Sequence, residues 1–353
     1  MGRTEASVAQ PPQATRKAAR AKLAKDTLNR TIPALLASYL RAKRGSDSAE
    51  LIVQPTPPDN NNTTAMGISS LRIRLVNTDT ITAAQQLSLS DRPNKKAGSD
   101  AGTIAILNMA SPLRPGSGFL QGATSQEEFL CMRTTLLPSL RDEFYRLPEV
   151  GGVHTPDVLV FRDGEGADLP KKDRFFIDVV SAGMLRFPDL EEGGRRYANA
   201  ADRQLVEAKM EAVMKICAVK KAARVVLGAW GCGAYGNPVE EIAGAWRKVL
   251  LKDKGRRKRD STAETWPGIA EVVFAITDRK MYEGFRQHFE DVLQVHEHPP
   301  EKPGPREDVD EGVLSEIDQK VAELEAQLQG VKSDALRERI QSVVDSLRAR
   351  SGP

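Results

Sequence analysis

Residues 103–131 read TIAILNMASPLRPGSGFLQGATSQEEFLC, and this stretch decides the fold class. Its first five residues are continuously apolar, which is typical of a strand buried on both faces of a sheet. A loop of turn-forming residues follows. Ser125 then opens a segment that we predict to be helical over residues 125–140. A buried strand that leads through a loop into a helix is the building unit of α/β domains.

The same alternation continues on both sides of this stretch. Period-two or continuous apolar patterns predict strands, and 3.6-residue patterns predict the helices between them. Strands separated by helices favour an α/β layered domain with a mixed or parallel sheet. The other predicted strands cover residues 71–76, 158–161, 175–180, 224–227 and 271–276, and the other predicted helices cover residues 81–89, 202–219, 239–251 and 281–293.

Composition narrows the functional class. The chain has 353 residues, of which 40% are hydrophobic, enough for one large domain with appendages. A net charge of +3 does not favour a sequence-specific nucleic-acid binder. The three cysteines are too few and too widely spaced for a disulfide framework or a metal cluster. No apolar run is long enough to span a membrane, so we expect a soluble intracellular protein.

The two ends of the chain differ from its centre. We predict a disordered tail over residues 1–15, a helical segment over residues 16–45 that Pro33 breaks or kinks, and a linker over residues 299–312. Apolar residues spaced three and four apart predict a helical hairpin over residues 313–350, with coiled-coil-like stripes that either fold back or bind another chain.

A basic run over residues 254–259 contains five Lys or Arg residues. It is either a nuclear-import signal, a contact for a polyanion or a solvated loop, and these alternatives leave nucleus and cytoplasm both open.

Two glycine-bearing loops follow predicted buried strands. The first contains Gly116, Ser117 and Gly118, and the second spans residues 228–238. Glycine lets the backbone approach phosphate oxygens closely, and the helix after each loop offers free N–H groups. Ligands of α/β sheets bind at the carboxyl ends of the strands. Two such loops together predict a clamp for phosphate groups.

The first loop is followed by Gln126, Glu127 and Glu128. Ser125 and Glu128 have the spacing of a capping box, and acidic side chains also stabilise a first helical turn. A carboxyl group at the edge of a closed pocket can instead act as a general acid or base. The residues alone leave both interpretations open.

This pattern resembles the signature of the poly(ADP-ribose) glycohydrolase family in its microbial-type branch. The second loop, GAWGCGAYG over residues 228–236, is similar to the diphosphate-binding loop of macrodomains and to the GAWGCG run of that branch. The resemblance covers residues 16–297. It implies a macrodomain-like α/β/α fold with three layers, a mixed sheet and an N-terminal helical extension over residues 16–45, within a catalytic domain over residues 16–298.

The resemblance also implies roles for individual residues. Glu128 would be the acid/base that protonates the leaving ribose oxygen, Glu127 would hold ribose hydroxyl groups, and Gln126 would support the loop and the ligand. Tyr235 would lie near the adenosine end. The backbone that encloses the diphosphate would be that of Gly116, Ser117, Gly118, Gly231, Cys232, Gly233, Ala234, Tyr235 and Gly236.

Separate expectations apply to Asp79, Ser111, Asn108 and Ser117. Asp79 either receives the adenine amino group, as the resemblance implies, or caps the following helix. Ser111 or Asn108 would touch the terminal ribose. Ser117 stands where the family has a middle glycine, so a positive φ there would cost about 1 kcal/mol or more; otherwise its hydroxyl adds a phosphate contact.

The implied activity is hydrolysis of the ribose–ribose O-glycosidic bonds of poly(ADP-ribose), with release of ADP-ribose and without a metal or cofactor. Because Glu127 and Glu128 are sequence neighbours, we expect one acid/base rather than two separated carboxylates. The substrate would be the polymer or an ADP-ribosylated protein, with no membrane partner. The alternatives are a non-catalytic reader of ADP-ribose, indicated by Ser117, and a scaffold that recruits a partner through residues 313–350.

Overall fold

The structure is a computed structural model that describes residues 13–56, 71–90, 102–251 and 266–293, and six single residues nearer the C-terminus. Its centre is a seven-stranded sheet in the order β1-β4-β5-β3-β6-β7-β2. Strands β2, β7, β6, β3 and β5 run parallel, whereas β4 and β1 are antiparallel to their neighbours, so the sheet is mixed. The strands are β1 Glu50–Val53, β2 Arg72–Val76, β3 Thr103–Met109, β4 Gly151–Val160, β5 Phe175–Ala182, β6 Ala222–Leu227 and β7 Glu271–Ala275.

Helices cover both faces of this sheet. Alternate side chains of β3 explain how one strand serves two cores: Ala105 and Leu107 pack with α6, α7 and α8, whereas Ile104 and Ile106 pack with α4 and α5. The sheet therefore lies between two helical layers. The helices are α1 Gln13–Asp26, α2 Ile32–Ser38, α3 Leu40–Asp47, α4 Thr80–Ser90, α5 Gln126–Arg133, α6 Ala200–Val219, α7 Val239–Leu251 and α8 Arg279–Phe289.

The parallel core brings the two glycine-bearing loops together. Ile106 of β3 pairs with Val226 of β6, so the loops that follow these strands leave the same edge side by side. Their stems touch, because a Cβ on Gly228 would come within 2.3 Å of the Met109 Cε atom. A side chain at position 228 would therefore displace the end of the Met109 side chain.

The predicted helix over residues 125–140 is wrong beyond Arg133. Thr134 instead pairs with Val160 in an antiparallel bridge, and the Thr135 N–H donates to the Leu159 carbonyl oxygen at 3.0 Å. Pro138 has no N–H with which to continue a helix, and it lies in a short 3₁₀ turn, Leu137–Ser139.

Two strands also differ from the sequence patterns. The predicted strand at residues 158–161 is longer, since β4 begins at Gly151. A register shift between Thr155 and Val158 interrupts its pairing with β5 and masks the pattern. The edge strand β1 was not predicted, because three of its four residues are exposed and give no apolar alternation.

The helical segment before the sheet runs from Gln13 to Asp47. Pro33 is the second residue of α2, and a π-helical turn, Thr27–Thr31, precedes α2. The helix is therefore locally wider before Pro33, and it is not broken there. Among the described residues, no helix is long and apolar enough to cross a membrane. The basic run 254–259, the linker 299–312 and residues 1–12 of the predicted tail lie outside the described residues, as does the predicted hairpin 313–350 apart from six single positions.

Candidate active site

The N-terminus of α5 directs three consecutive side chains to three different partners. Gln126 joins α5 to the sheet: its Oε1 accepts the Met109 N–H at 2.8 Å, and its Nε2 donates to the Leu107 carbonyl oxygen at 2.9 Å. The same Nε2 lies 3.4 Å from Oγ1 of Thr80, the first residue of α4. Gln126 therefore fastens the start of α5 to the end of β3 and to the start of α4.

Glu127 is buried, with 1% of its surface exposed. Its Oε2 accepts the Ser111 N–H at 2.8 Å, and its Oε1 lies 3.5 Å from Nδ2 of Asn108. Burial raises the pKa of this carboxyl from 4.5 to about 8, although the donors from Ser111, Asn108 and the Gly116 backbone oppose the shift. At neutral pH Glu127 therefore holds a proton that it can donate in a hydrogen bond.

Asn108 links Glu127 to the sheet. Its Nδ2 donates to the Ser181 hydroxyl at 3.0 Å, and Ser181 belongs to β5. Its Oδ1 is buried and has no hydrogen-bond partner in the described part of the chain. A buried acceptor without a partner costs free energy unless a ligand supplies a donor, and a ribose hydroxyl is such a donor.

Glu128 is turned towards the first loop. Its Oε1 accepts the Gly118 N–H at 2.8 Å, and its Oε2 accepts the hydroxyl of Ser125. The Ser125 side chain makes no capping hydrogen bond to the helix backbone, so the capping-box interpretation is wrong. The Glu128 carboxyl is only 3% exposed. Burial of two neighbouring acids costs free energy, and a fold retains such groups where they serve chemistry.

The first loop holds the acids with its own backbone. Gly116 and Ser117 have φ of +62° and +46°, so both lie in the left-handed region. The Gly118 and Gly116 N–H groups reach Glu128 and Glu127, and the Ser117 N–H lies 3.4 Å from the Arg114 carbonyl oxygen. The N–H groups predicted to hold a diphosphate are thus used inside the protein.

The second loop is fixed by Asn237. The Asn237 Nδ2 donates to the carbonyl oxygens of Leu185 at 2.9 Å and Gly231 at 3.0 Å, and its Oδ1 accepts the Tyr197 hydroxyl at 2.8 Å. These bonds fasten the loop to the connection between β5 and α6. Gly231 and Gly236 have positive φ, and the backbone N–H groups of Cys232 and Gly236 donate inside the loop.

The crest of this loop is open. Gly233 is exposed, and a Cβ there would meet nothing within 4 Å. The hydrogen bonds inside the loop do not use the N–H groups of Gly233 and Ala234. Of the two loops, the second is therefore the one whose backbone is open at its crest.

Tyr235 closes the second loop against its neighbours. Its ring is buried and lies 6.3 Å from the Phe187 ring, and the Arg186 guanidinium lies 5.5 Å from the Tyr235 ring centroid. The Phe187 N–H donates to the Tyr235 carbonyl oxygen at 3.0 Å. Tyr235 thus joins the second loop to the segment after β5.

Asp79 caps α4. Its Oδ1 accepts the Thr82 N–H at 2.8 Å, and its Oδ2 accepts the Thr82 hydroxyl at 2.5 Å. The cap interpretation is confirmed by these bonds. Asp79 remains half-exposed, so the predicted contact with an adenine amino group is compatible with the cap.

Sequence reasoning missed two residues of this edge. The Tyr145 hydroxyl is buried without a hydrogen-bond partner among the described residues, and burial raises its pKa well above the ordinary value, with the Glu127 charge as a further cause. Nothing in its local sequence indicates this position. Arg186 lies in the segment that leaves the carboxyl end of β5, and this position after a predicted strand was a signal in the sequence.

A mixed α/β sheet thus carries two buried acids, at the start of α5, and an open glycine-bearing loop at one edge. Residues 37–163 match the family model described as "Microbial-type PARG, catalytic domain". This stretch of the chain is therefore similar to the catalytic domain of the microbial-type poly(ADP-ribose) glycohydrolase (PARG) family.

Solved structures agree in fold. The poly(ADP-ribose) glycohydrolase from Thermomonospora curvata matches with a TM-score of 0.58 and 22% identity, over 77% of this chain and 100% of that chain. Its complex with the inhibitor ADP-HPD gives a TM-score of 0.55 and 23% identity over the same shares. The enzyme from Deinococcus radiodurans in complex with ADP-ribose gives 0.51 and 22%, over 71% of this chain and 98% of that chain. No curated protein matches the chain.

Proposed function

We propose that this chain is a poly(ADP-ribose) glycohydrolase that cleaves ribose–ribose O-glycosidic bonds and releases ADP-ribose. The observation that carries the proposal is the burial of Glu127 and Glu128 against the first loop, within the residues that match the PARG catalytic family. The similar solved structures, with bound ADP-ribose in one and an inhibitor in another, support the same class of ligand.

The proposal includes a macrodomain-like fold with three layers. The mixed sheet between two helical layers supports it, and α1 to α3 would correspond to the family's N-terminal extension. In this arrangement the carboxyl ends of β3, β5 and β6 form the floor of the substrate cleft.

Glu128 would act as the acid/base. In the first step it gives a proton to the leaving ribose oxygen while the glycosidic bond breaks and positive charge develops on the sugar. Water then attacks that sugar and returns a proton to Glu128. The Ser125 hydroxyl can follow this cycle, since a hydroxyl donates to the ionised carboxylate and accepts from the protonated acid.

Glu127 would orient the sugar instead of attacking it. Its carboxyl is neutral at neutral pH because its pKa is raised to about 8, so it can donate to a ribose hydroxyl oxygen. The buried Oδ1 of Asn108 would accept from a second hydroxyl. Ser111 contributes its N–H to Glu127 and so acts through that residue.

The second loop would carry the diphosphate, with the Gly233 and Ala234 backbone as its contact surface. Gly231, Cys232 and Gly236 shape the turn, and Tyr235 closes it against Phe187 and Arg186. The N–H groups of Gly116 and Gly118 donate to the carboxyl groups of Glu127 and Glu128. To bind the same diphosphate, they would have to leave these carboxyl groups and donate to a phosphate oxygen instead. Asp79 would meet the adenine amino group from the start of α4.

The test is a polymer-degradation assay on the wild type beside Glu128→Gln. We expect the wild type to release ADP-ribose. The variant should be slower by about 10²–10⁴-fold, which is the usual contribution of a general acid to the rate. The matched control is Glu143→Gln, since that acid is 64% exposed and should leave the rate unchanged. A wild type that releases no ADP-ribose, or a Glu128→Gln variant with full rate, contradicts the proposal.

A second candidate is a reader that binds ADP-ribose without turnover. Ser117 favours it, because a side chain stands where the resemblance implies a glycine, and a Cβ limits how closely the loop backbone can approach a phosphate oxygen. Calorimetry with ADP-ribose, run beside the polymer-degradation assay, separates the candidates. A reader binds ADP-ribose in the calorimeter and leaves the polymer intact in the assay.

A further inference from the structure

A cavity of about 210 Å³ lies beside the first loop and is not part of the predicted site. It is formed by the segments around residues 112–113, 146–149 and 184–186, and by Lys209 of α6. Pro112 follows Ser111, whose N–H binds Glu127. The cavity thus opens one residue away from a group that holds the buried acid.

Three cations and one carboxylate line this cavity, namely Arg146, Arg186, Lys209 and Glu149. Lys209 is engaged by the protein, since its Nζ donates to the carbonyl oxygens of Glu149 at 2.6 Å and Gly183 at 3.2 Å. Its ammonium also lies 3.3 Å from the Glu149 carboxylate. The ion pair partly offsets the Glu149 charge, and Arg146 and Arg186 are the other two cations of the cavity.

The two arginines differ in how they are held. Arg146 is exposed. The Arg186 Nε is buried with no hydrogen-bond partner among the described residues, and its guanidinium lies 5.6 Å from the Phe187 ring centroid and 5.5 Å from that of Tyr235. A guanidinium held against aromatic rings is positioned before a ligand arrives, and its planar donors suit phosphate oxygens.

The remaining wall is apolar. Pro112, Leu113, Leu147 and Met184 contribute to it, and Leu113 is 38% exposed. Pockets that hold a whole small molecule usually measure about 300–1,000 Å³. A cavity of about 210 Å³ therefore fits part of a nucleotide, such as a diphosphate with one face of the adjoining ribose.

We propose that this cavity is a second anion subsite, which receives the diphosphate of the polymer unit on the leaving side of the scissile bond. The inference rests on the proposed function. The leaving unit must emerge beside the ribose that Glu127 would orient, and each unit of the polymer carries one diphosphate. The site therefore distinguishes a chain from free ADP-ribose: the monomer fills only the main cleft, whereas the chain contacts Arg146 and Arg186 as well.

The test measures binding in the slow Glu128→Gln background, with ADP-ribose and a purified poly(ADP-ribose) oligomer as separate probes. We expect the oligomer to bind about tenfold more tightly than ADP-ribose, with an advantage that shrinks as salt rises. Arg146→Glu should remove this advantage and leave the ADP-ribose affinity within about twofold of the parent's, because Arg146 is an exposed cation of the outer cavity. Arg186→Gln, which keeps a polar side chain, should reduce the advantage too.

The matched control is Arg286→Glu, which makes the same charge change at a 47% exposed residue. Arg286 belongs to α8, which packs against β2, the edge strand at the other end of the sheet from β1. The inference is overturned if the parent binds oligomer and monomer with equal affinity. It is also overturned if Arg146→Glu keeps the full oligomer advantage. The same holds if Arg286→Glu loses as much of that advantage as Arg146→Glu does. Failure of the proposed function has a different signature: the wild type neither binds ADP-ribose nor releases it from polymer.

Discussion

The Gly118 N–H donates a 2.8 Å hydrogen bond to Oε1 of Glu128, so the first loop and the acid form one unit. A glycine-bearing loop after a buried strand ordinarily indicates a phosphate cradle. Here it first determines where the acid lies. Any change in the loop is therefore a change in the position of Glu128, and the predictions below separate that effect from changes in stability.

Ser125→Ala tests whether this serine serves the acid or the helix. Its hydroxyl donates to Glu128 and makes no capping bond, and Ser125 is half-exposed, so water can replace it. We expect kcat to fall about tenfold and the free energy of unfolding to fall by less than about 1 kcal/mol. Enzyme kinetics and thermal unfolding measure the two effects. Ser125→Thr retains a hydroxyl and should keep most of the rate, whereas a destabilised Ser125→Ala variant with unchanged kcat would restore the capping interpretation.

Ser117→Gly tests the backbone strain of the first loop. The left-handed conformation at φ +46° costs a side-chain-bearing residue about 1–2 kcal/mol, and glycine avoids this cost. Glycine also makes the unfolded chain more flexible, which lowers the free energy of unfolding by up to about 1 kcal/mol. We therefore expect the variant to be more stable by about 0.5 kcal/mol, as measured by denaturant unfolding. Ser117→Ala keeps the Cβ and removes only the hydroxyl, so it should show no such gain. An equal gain in both variants would assign the effect to the hydroxyl and not to φ.

Glu127→Gln tests the protonation of the buried neighbour. The pKa of Glu127 is raised from 4.5 to about 8, so the unfolded chain loses this proton at lower pH than the folded protein does. The resulting stability is fully present below pH 4.5 and is lost as pH rises to about 8, with a slope of up to about 1.4 kcal/mol per pH unit. The variant lacks this slope and should be the more stable protein above pH 8.

The measurement for Glu127→Gln is the free energy of unfolding against pH for the wild type, the variant and the exposed control Glu143→Gln. The difference between wild type and Glu127→Gln should change with pH, whereas the difference between wild type and Glu143→Gln should stay flat. Parallel curves for wild type and Glu127→Gln would show that folding does not shift the pKa of Glu127.

Asp79 has two predicted roles, and two substitutions separate them. Asp79→Asn keeps an oxygen that caps α4 through the Thr82 N–H, so stability should be retained. Asp79→Ala should lose about 1 kcal/mol by thermal unfolding because the cap is gone. If the carboxylate also receives an adenine amino group, both variants bind ADP-ribose more weakly in calorimetry. Unchanged affinity in Asp79→Asn would leave only the cap.

Elements with a strong local pattern were predicted closely. The helix α7 has the predicted bounds, and the strands β3 and β6 lie where apolar runs placed them. The pattern failed where long-range pairing overrides local preference: Thr134 and Thr135 leave the helix to pair with β4. It also failed at β1, where pairing with β4 alone makes a strand of exposed residues.

The sequence by itself determined most of the alternation of strands and helices, the two loops and the acids that follow the first loop, because these depend on neighbouring residues and on periodicity. Only the tertiary structure decided that the backbone of Gly116 and Gly118 faces Glu127 and Glu128, that burial holds a proton on Glu127, and that Arg146 and Arg186 share a cavity. Side-chain direction and desolvation arise from residues far apart in the chain, which the packing of β3, β5 and β6 brings to one edge.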